Sequence, residues 1–218
     1  GTVLAPYETI RIELNLDPDE EEEYTTQRSI YMDFVRSNGV NFSNPRGWSQ
    51  FLGLCARLAG GQEAFRAYLS QRTIARRSRA KFRSLWELFR KHAGERILVF
   101  TADNDTAYDI GRTFLVPVLT HHTKIQERRA FLKAFRAGDY SVLITSKVLN
   151  EGIDVPEASV GIIVSGTGSI REHVQRLGRI LRPVQGKQAR LYELVSAGTS
   201  ETSVSERRRQ HRAYQRPS

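Results

Sequence analysis

The fold of this 218-residue chain is decided by residues 141–183, which read SVLITSKVLNEGIDVPEASVGIIVSGTGSIREHVQRLGRILRP. Two short apolar runs, residues 142–145 and 160–165, are each followed by a loop that contains glycine and serine. Apolar runs of this length, bounded by turn residues, are typical of strands buried in a parallel sheet. Because ligands of such sheets bind beyond the carboxyl ends of the strands, the two loops are the first candidates for a functional site.

The first of these loops carries two residues that suit a nucleotide. Gly152 lets the backbone approach a bound group closely, because it has no side chain. Asp154 follows two residues later, and its carboxylate can accept hydrogen bonds from ribose hydroxyls. We therefore expect this loop to lie against the sugar of a bound nucleotide.

The second loop leads into a helix that we predict over residues 170–181. Ser169 and Glu172 form a capping box at its start. At about 100° per residue, one face of the helix is aliphatic and the opposite face carries two arginines and an amide. That polar row consists of Gln175, Arg179 and Arg182. The row is either a solvated surface or a phosphate clamp, and its lack of an acidic partner at four-residue spacing favours the clamp.

Two motifs in this stretch resemble those of superfamily 2 helicases. QRLGRILR is similar to their motif VI and SKVLNEGIDVP to their motif V, in the order and at the spacing of the family. The wider run through SGTGSIRE is most similar to the xeroderma pigmentosum group B (XPB) type of DNA helicase. The resemblance implies that Arg179 and Arg182 reach the γ-phosphate of ATP as arginine fingers. It also implies that Gln175 links closure of the lobe to the nucleotide, and that Gly152 and Asp154 bind it.

The resemblance extends over about residues 96–195 and also implies contacts with DNA. ILVFTADNDTAYDIG is similar to motif IV, with Thr101 and Asn104 at the end of its strand. QERRAFLKAFRAGD is similar to the helix after motif IV, in which spacing selects Arg128 as a phosphate contact. The phosphate-contacting hydroxyl of motif V falls at Ser146, and the adjacent Thr145 could substitute for it.

The nucleotide-hydrolysing half of such a motor has no counterpart in this sequence. The chain contains no G-x-x-x-x-G-K-[ST] loop and no acidic pair after an apolar strand. In helicases of this superfamily those groups belong to the first motor lobe. The resemblance therefore implies that ATP binds between two lobes, that the first lobe holds its Mg²⁺, and that this chain alone is inactive. The implied partners are DNA, the first motor lobe of the same protein and repair proteins such as a nuclease, in nucleotide excision repair or transcription.

Two other functions fit the same residues. A non-catalytic nucleic-acid-binding or docking domain could keep the RecA-like fold without taking part in ATP hydrolysis. The second lobe of another DNA translocase would share motifs V and VI, although SGTGSIRE favours the XPB type. These alternatives stay open on the sequence alone.

Strands alternate with helices from residue 96 onward, which predicts parallel βαβ units and an α/β fold. The resemblance identifies this part as a RecA-like lobe with a parallel sheet flanked by helices. In helicases of XPB type that lobe carries a thumb-like helical insert near its start. We accordingly predict the first strand of the lobe at residues 1–16, an all-helical thumb-like insert at 17–72, the RecA-like lobe with motifs IV, V and VI at 73–198, and a basic tail at 199–218.

The predicted insert begins with a helix that is capped at Asp17 and ends near Gly39. Its aromatic residues are expected mainly in the core, with Phe42, Trp48 and Tyr68 as candidates for a base-stacking platform instead. A single long helix is predicted over residues 74–92. Its basic side chains, together with Arg72 just before the helix, would form a surface that docks on DNA. The basic side chains of the helix are Arg76, Arg77, Arg79, Lys81 and Arg83.

The composition indicates a partner with negative charge. Lys and Arg number 33 against 24 Asp and Glu, which leaves a formal net charge of +9, as suits a protein that binds nucleic acid. Cys55 is the only cysteine, which excludes an internal disulfide and a four-cysteine zinc site. No apolar run approaches the length of a membrane span, and no signal peptide is recognisable, so we expect an intracellular protein (cytoplasmic, nucleoid or nuclear). His121 and His122 have no further metal ligands at suitable spacing and are expected in a loop.

Overall fold

The computed structural model describes residues 7–146, 157–165 and 180–202 of the chain. The chain forms two compact units. One unit, which we call the lobe, comprises Gly1–Asn15 and Ala80–Ser218, and the other, which we call the helical insert, comprises Leu16–Arg79. Within the described ranges, no helix is both long enough and apolar enough to cross a membrane.

The helical insert contains the helices α1 (Pro18–Ser37), α2 (Gly47–Arg57) and α3 (Gly61–Arg76). As predicted, α1 starts with a capping box, in which the backbone N–H of Asp17 donates to Glu20 Oε1 at 3.3 Å. Small residues along one face of α3 let it pack against α1. The core of the insert is built from Tyr31, Val35, Phe51, Cys55 and Ala67.

A parallel sheet forms the centre of the lobe. Its strands in the described part of the chain are β1 (Tyr7–Leu14), β2 (Ile97–Thr101), β3 (Val118–Leu119), β4 (Val142–Ser146), β5 (Val160–Ile163) and β6 (Ala189–Ser196). They lie in the order β1-β6-β5-β2-β4-β3, and each neighbouring pair is parallel. β2, β4 and β5 are buried at every position, which explains why they read as continuous apolar runs in the sequence.

Helices cover both faces of the sheet. They are α4 (Arg79–Lys91), α5 (Asn104–Phe114) and α6 (Ile125–Ala137). On one face, Leu85 of α4 and Ile110 of α5 join the core that contains Val99. On the other face, Phe135 of α6 packs in the core that contains Leu98. The predicted α/β lobe with a parallel sheet flanked by helices is therefore confirmed.

The single helix predicted over residues 74–92 is wrong, because the chain forms two helices there. α3 ends at Arg76, Arg77 has the non-helical angles φ −120° and ψ 31°, and Ser78 is buried between the helices. The small residues of α3 pack within the insert, whereas the leucines of α4 pack within the lobe. The break lets each helix turn its own apolar face towards its own core. It also moves the end of the insert from the predicted residue 72 to Arg79.

Lys81 is not part of a basic docking surface, contrary to the prediction. Its side chain is fully buried, and Nζ donates to the carbonyl oxygen of Val164 at 2.6 Å and to Glu201 Oε1 at 2.7 Å. Lys81 precedes the buried Leu85 by four residues, so it lies on the core-facing side of α4. Glu201 supplies the charge that balances it, and Thr199 is buried as well. Residues 199–202, predicted as the start of the tail, therefore pack within the lobe.

Arg79 is also engaged within the protein rather than on a docking face. Its Nε lies 2.9 Å from Asp17 Oδ2, and its guanidinium also pairs with Asp19. The backbone N–H of Arg79 donates to Glu20 Oε2 at 3.3 Å. These contacts join the two ends of the insert, because Asp17 follows its first residue and Arg79 is its last.

The apolar run of residues 114–119 is typical of a strand, but the strand in the structure is shorter. Phe114 still belongs to α5, where its ring packs 5.1 Å from the ring of Phe89 of α4. Leu115 then adopts the left-handed region with φ 55°, so the strand is restricted to Val118–Leu119. The packing of Phe114 on a neighbouring helix, which periodicity within one segment does not reveal, accounts for the difference.

Candidate nucleic-acid interface

The carboxyl ends of neighbouring strands bring several polar side chains together. β2 ends at Thr101 and β4 at Ser146, and these two residues are partners in the register of the sheet. β3 pairs with the other side of β4 and leads directly into Thr120. The residues that resemble motif IV and motif V therefore lie at one edge of the sheet, which is where ligands of open parallel sheets bind.

Asn104 is held at this edge by Ser146. It is the first residue of α5, whose N-cap Asp103 accepts a hydrogen bond from the backbone N–H of Thr106 at 2.7 Å. Ser146 is fully buried, and its Oγ donates to Asn104 Oδ1 at 2.8 Å. Because the amide oxygen is already an acceptor, the NH₂ group of Asn104 is oriented to donate elsewhere. Its nitrogen lies 3.5 Å from Nδ1 of His121.

The hydroxyls of Thr101 and Thr145 have partners inside the lobe. Thr101 Oγ1 donates to the carbonyl oxygen of Asp103 at 2.9 Å and closes the turn between β2 and α5. Thr145 Oγ1 lies 3.4 Å from the carbonyl oxygen of Val99, and only 2% of the residue is exposed. These two residues therefore brace the edge. Of the two adjacent motif V hydroxyls, Ser146 is the one that contacts Asn104.

Arg128 places a guanidinium at the same edge. One of its Nη atoms donates to the carbonyl oxygen of Thr120 at 3.2 Å. Its Nε is buried and has no hydrogen-bond partner among the residues that the structure describes. A buried N–H without an acceptor costs about 1–3 kcal/mol, so a phosphate oxygen would satisfy this group if the side chain moved to expose it. Arg128, which was predicted to contact a phosphate, is thus charged and held by one hydrogen bond, and its Nε has no acceptor among the described residues.

A tight turn after β3 connects Arg128 to Asn104. The backbone N–H of Thr120 donates to Thr123 Oγ1 at 2.9 Å, and the hydroxyl of Tyr108 lies 2.9 Å from Thr120 Oγ1. The turn exposes His121 and His122, whose ring centroids are 3.8 Å apart. In the described ranges, no group of three or more His, Cys, Asp or Glu side chains is arranged to hold a metal ion. The edge therefore offers hydrogen-bond donors and a cation.

Arg182 lies elsewhere than the predicted helix wheel placed it. Leu181 already forms a parallel bridge with Ala158, and the backbone N–H of Arg182 donates to the Ala158 carbonyl at 2.9 Å. Arg182 therefore lies beside the amino end of β5 and is not part of a helix. The physical reason is local, because Pro183 disfavours the helical region for the residue before it.

The guanidinium of Arg182 is paired but not locked in place. Its Nε lies 3.3 Å from Glu157 Oε1, and the two side chains are 59% and 66% exposed. An exposed pair of this kind contributes about 0–1 kcal/mol. A more strongly charged ligand could therefore replace the carboxylate of Glu157.

The other residues predicted to bind the nucleotide lie outside the described residues. They are Gly152, Asp154, Gln175 and Arg179. The capping box of Ser169 and Glu172 and residues 203–218 of the predicted tail also lie outside them.

Comparison with known proteins shows the family to which this chain belongs. The family model of the ERCC3/RAD25/XPB C-terminal helicase matches residues 62–216. The chain belongs to the XPB C-terminal helicase family. It is 37% identical over 210 residues to the DNA 3'-5' translocase XPB2 of Sulfurisphaera tokodaii, which covers 96% of this chain and 48% of that protein. It is 41% identical over 127 residues to the DNA 3'-5' helicase XPB of Mycobacterium tuberculosis, which covers 57% of this chain and 23% of that protein.

The sequence likeness of this XPB-family chain is thus broader than residues 96–195, and the chain spans about half or less of the length of these relatives. Solved structures agree on the fold. The C-terminal part of the Fun30 ATPase domain superposes with a TM-score of 0.64 at 14% identity, over 94% of this chain and 90% of that one. The C-terminal domain of the Sulfolobus solfataricus SWI2/SNF2 ATPase gives 0.63 at 17% identity, over 94% and 86%. These likenesses show a RecA-like fold.

Sequence reasoning missed part of the edge of this XPB-family lobe. Tyr108, Thr120 and Thr123 carry no motif, yet they fix the turn that anchors Arg128. The available signal was the position of Thr120 directly after β3, since polar residues at the carboxyl end of a parallel strand are candidates for a site. The histidine beside Asn104 was seen only as a loop residue.

Proposed function

We propose that this chain is the second motor lobe of an ATP-dependent DNA 3'-5' helicase or translocase of XPB type. Membership of the family supports the motor lobe, and the relatives named DNA 3'-5' translocase and DNA 3'-5' helicase support the activity and its direction. The observation that carries the DNA contact is the strand-end edge, at which Ser146 holds the amide oxygen of Asn104 and the Nε of Arg128 lacks an acceptor among the described residues. A relative from Arabidopsis thaliana is named a general transcription and DNA repair factor IIH subunit, which supports roles in repair and transcription.

In this proposal the strand-end cluster holds the phosphates of one DNA strand. Asn104 and Arg128 donate to phosphate oxygens, and Ser146 keeps the amide of Asn104 in the donating orientation. Thr101 and Thr145 act indirectly, by bracing the ends of β2 and β4. Contacts of this kind position a strand without reading its sequence.

ATP binds, in the same proposal, between this lobe and a first motor lobe that holds Mg²⁺. Gly152 and Asp154 contact the nucleotide, and Gln175 and Arg179 approach it from the helix predicted over residues 170–181. Arg182 also reaches towards the nucleotide in this proposal, since within the described residues its guanidinium is held by an exposed pair with Glu157. ATP supplies the phosphate charge towards which these side chains are drawn.

The helical insert is proposed to be the thumb-like element of this motor. Its place between β1 and α4 matches the position expected for such an insert in the XPB type. The implied partners are DNA, the first lobe of the same protein and repair proteins such as a nuclease.

The DNA contact is tested by titrating a fluorescent single-stranded oligonucleotide with Arg128→Ala and measuring anisotropy at several salt concentrations. Loss of one phosphate contact is expected to weaken binding about tenfold, roughly 1.4 kcal/mol, and to lower the slope of log K against log salt by about 0.7. Arg129→Ala is the matched control, since it removes the same charge from an exposed neighbour on α6.

Arg129→Ala should retain most of the affinity. Equal losses in the two variants would reduce the role of Arg128 to general charge. Binding by the parent chain that does not change with salt would refute the proposed phosphate contacts altogether.

A further inference from the structure

The helical insert exposes an aromatic surface that the motor motifs do not use. We define the aromatic patch as Phe42, Trp48, Tyr68 and Arg72. Phe42 is 43% exposed and Trp48 is 40% exposed, although both are large apolar side chains. Leu52 of α2 and Leu69 of α3 are exposed apolar side chains of the insert as well. Clustered exposure of this kind marks a binding surface more often than single exposed residues do.

The aromatic rings of the patch pack against one another and against the core of the insert. The ring centroid of Trp48 lies 5.0 Å from that of Tyr68 and 5.5 Å from that of Phe51, which is fully buried. Phe42 lies 6.4 Å from Trp48 and 5.8 Å from Phe51. Since Phe51 belongs to the core of the insert, the exposed rings are fixed before any ligand arrives, and little side-chain entropy is lost on binding.

The loop that carries Phe42 is also pinned to the start of α2. A Cβ atom added at Gly47 would lie 2.2 Å from the carbonyl oxygen of Asn41, so the backbone passes closer there than any side chain allows. The backbone N–H of Gly47 donates to Asn44, and that of Ser43 donates to Asn41 Oδ1 at 2.9 Å. Phe42 and Trp48 are therefore presented together by one rigid corner.

The charge around the patch favours a polyanion. Residues 34–62 include three arginines and no aspartate or glutamate. The guanidinium carbon of Arg72 lies 5.4 Å from the ring centroid of Tyr68, and Nη1 lies 3.5 Å from its hydroxyl. The acids of the insert are concentrated instead in the first turns of α1. An apolar surface for another protein needs no such segregation of charge, whereas a surface that meets both bases and phosphates does.

We infer that the aromatic patch binds an unpaired base of single-stranded DNA by stacking. The base lies against Trp48 and Phe42, and the neighbouring phosphates lie near Arg46 and Arg72. Every base has a stacking face, so the contact tolerates any sequence. The inference rests on the proposed function only in taking DNA as the ligand; it adds a second binding site, on the insert, that is independent of Asn104 and Arg128.

Two tryptophans make the site directly measurable. The chain contains only Trp48 and Trp86, and Trp86 lies on α4 in the lobe, where it is 55% exposed. In a Trp86→Phe background, all tryptophan emission comes from Trp48. Adding a single-stranded thymidylate oligonucleotide is expected to quench that emission, and duplex DNA of the same length is expected to quench it less.

Binding of the same oligonucleotide is measured by anisotropy with Trp48→Ala and with Trp86→Ala as the matched control. Trp48→Ala is expected to lower the affinity about tenfold, which follows from a stacking contribution of about 1–3 kcal/mol per base. Trp86→Ala is expected to leave it unchanged. Trp48→Tyr should restore most of the affinity, because a stacking face returns, and Phe42→Ala should weaken binding in the same direction.

The outcomes separate this inference from the proposed function. If Arg128→Ala weakens binding while Trp48→Ala does not, and the emission of Trp48 is unchanged by DNA, the stacking site is refuted and the phosphate contacts stand. If Trp48→Ala weakens binding and Arg128→Ala does not, the stacking site stands alone. Self-association of the chain that Trp48→Ala abolishes, with DNA binding intact, would overturn the inference in favour of a protein-binding surface.

Discussion

Replacing Lys81 with methionine is expected to destabilise the lobe by about 2–4 kcal/mol. Methionine keeps most of the length of the side chain but removes the ammonium group from a fully buried position. Glu201 then loses a partner at 2.7 Å and 3.0 Å, and the carbonyl oxygen of Val164 loses a donor at 2.6 Å. Removing one partner of a buried pair costs about 3–5 kcal/mol. We lower this range because the side chain of Glu201 is 17% exposed and water can reach it.

The assay is thermal unfolding followed by tryptophan emission in a Trp48→Phe background, so that Trp86 on α4 reports on the lobe alone. A loss of about 3 kcal/mol corresponds to a fall in Tm of roughly 6–12 °C for a chain of this size. Lys91→Met is the matched control, because it removes the same charge from an exposed position on the same helix. It should change the stability by less than about 0.5 kcal/mol.

A double variant shows whether the loss of stability in Lys81→Met comes from the unpaired charge of Glu201 or from lost packing. Lys81→Met combined with Glu201→Gln removes both charges, and the glutamine oxygen can still accept from the backbone N–H of Ser196, as Glu201 Oε1 does at 3.0 Å. The double variant should therefore be more stable than Lys81→Met alone. The reasoning is refuted if Lys81→Met unfolds at the temperature of the parent chain, or if the second substitution adds its own loss to the first.

Two further predictions concern the helical insert. Gly47→Ala should destabilise it by about 1–3 kcal/mol, because the new Cβ would lie 2.2 Å from the carbonyl oxygen of Asn41. Gly53→Ala lies inside α2, and its new Cβ meets nothing closer than 3.9 Å. This second variant should therefore stabilise the insert by about 0.5–1 kcal/mol. Urea unfolding followed by the emission of Trp48 measures both, and a similar change in the two variants would contradict the argument from close approach. The hydrogen bond from Arg79 lowers the pKa of Asp19 below 3.8, so the ionised pair stabilises the insert above that pH and stops doing so as the pH falls through the folded-state pKa. The Tm difference between the parent and Arg79→Ala should narrow on acidification below about pH 4. A difference that stays constant as the pH is lowered well below that value would exclude the pair as its source.

The sheet could be predicted from the sequence because its central strands are buried on both faces. Val142–Ser146 has no polar position to interrupt the apolar run until its last two residues, and those two hydroxyls bond within the protein. Local chemistry was equally informative at Asp17 and Pro18, where capping rules located the start of α1 within one residue. Both signals lie within a few neighbouring residues, so a single sequence is enough to read them.

The rest could not be predicted because it depends on partners far away in the chain. Lys81 looks like any surface lysine until Glu201, 120 residues later, is brought to it. Asn104 acquires its orientation from Ser146, 42 residues away. Arg182 is the opposite case, since Pro183 was in view and should have outweighed the helical wheel. The partners of Lys81 and Asn104 are too distant in sequence to be recognised. Arg182 was misplaced because the helical periodicity was continued one residue too far.

The pairing of β1 with β6 has a consequence for how the chain matures. All eight residues of Tyr7–Leu14 pair with residues 189–196, so β1 cannot complete its pairing until residue 196 has been synthesised. The helical insert is a compact unit of its own, Leu16–Arg79, and can form while the rest is still being synthesised. Until residue 196 leaves the ribosome, β1 is an unpaired edge tethered to a finished helical unit. Such contacts between distant parts of a chain form slowly, which makes that interval the time at which a growing chain is most exposed to aggregation.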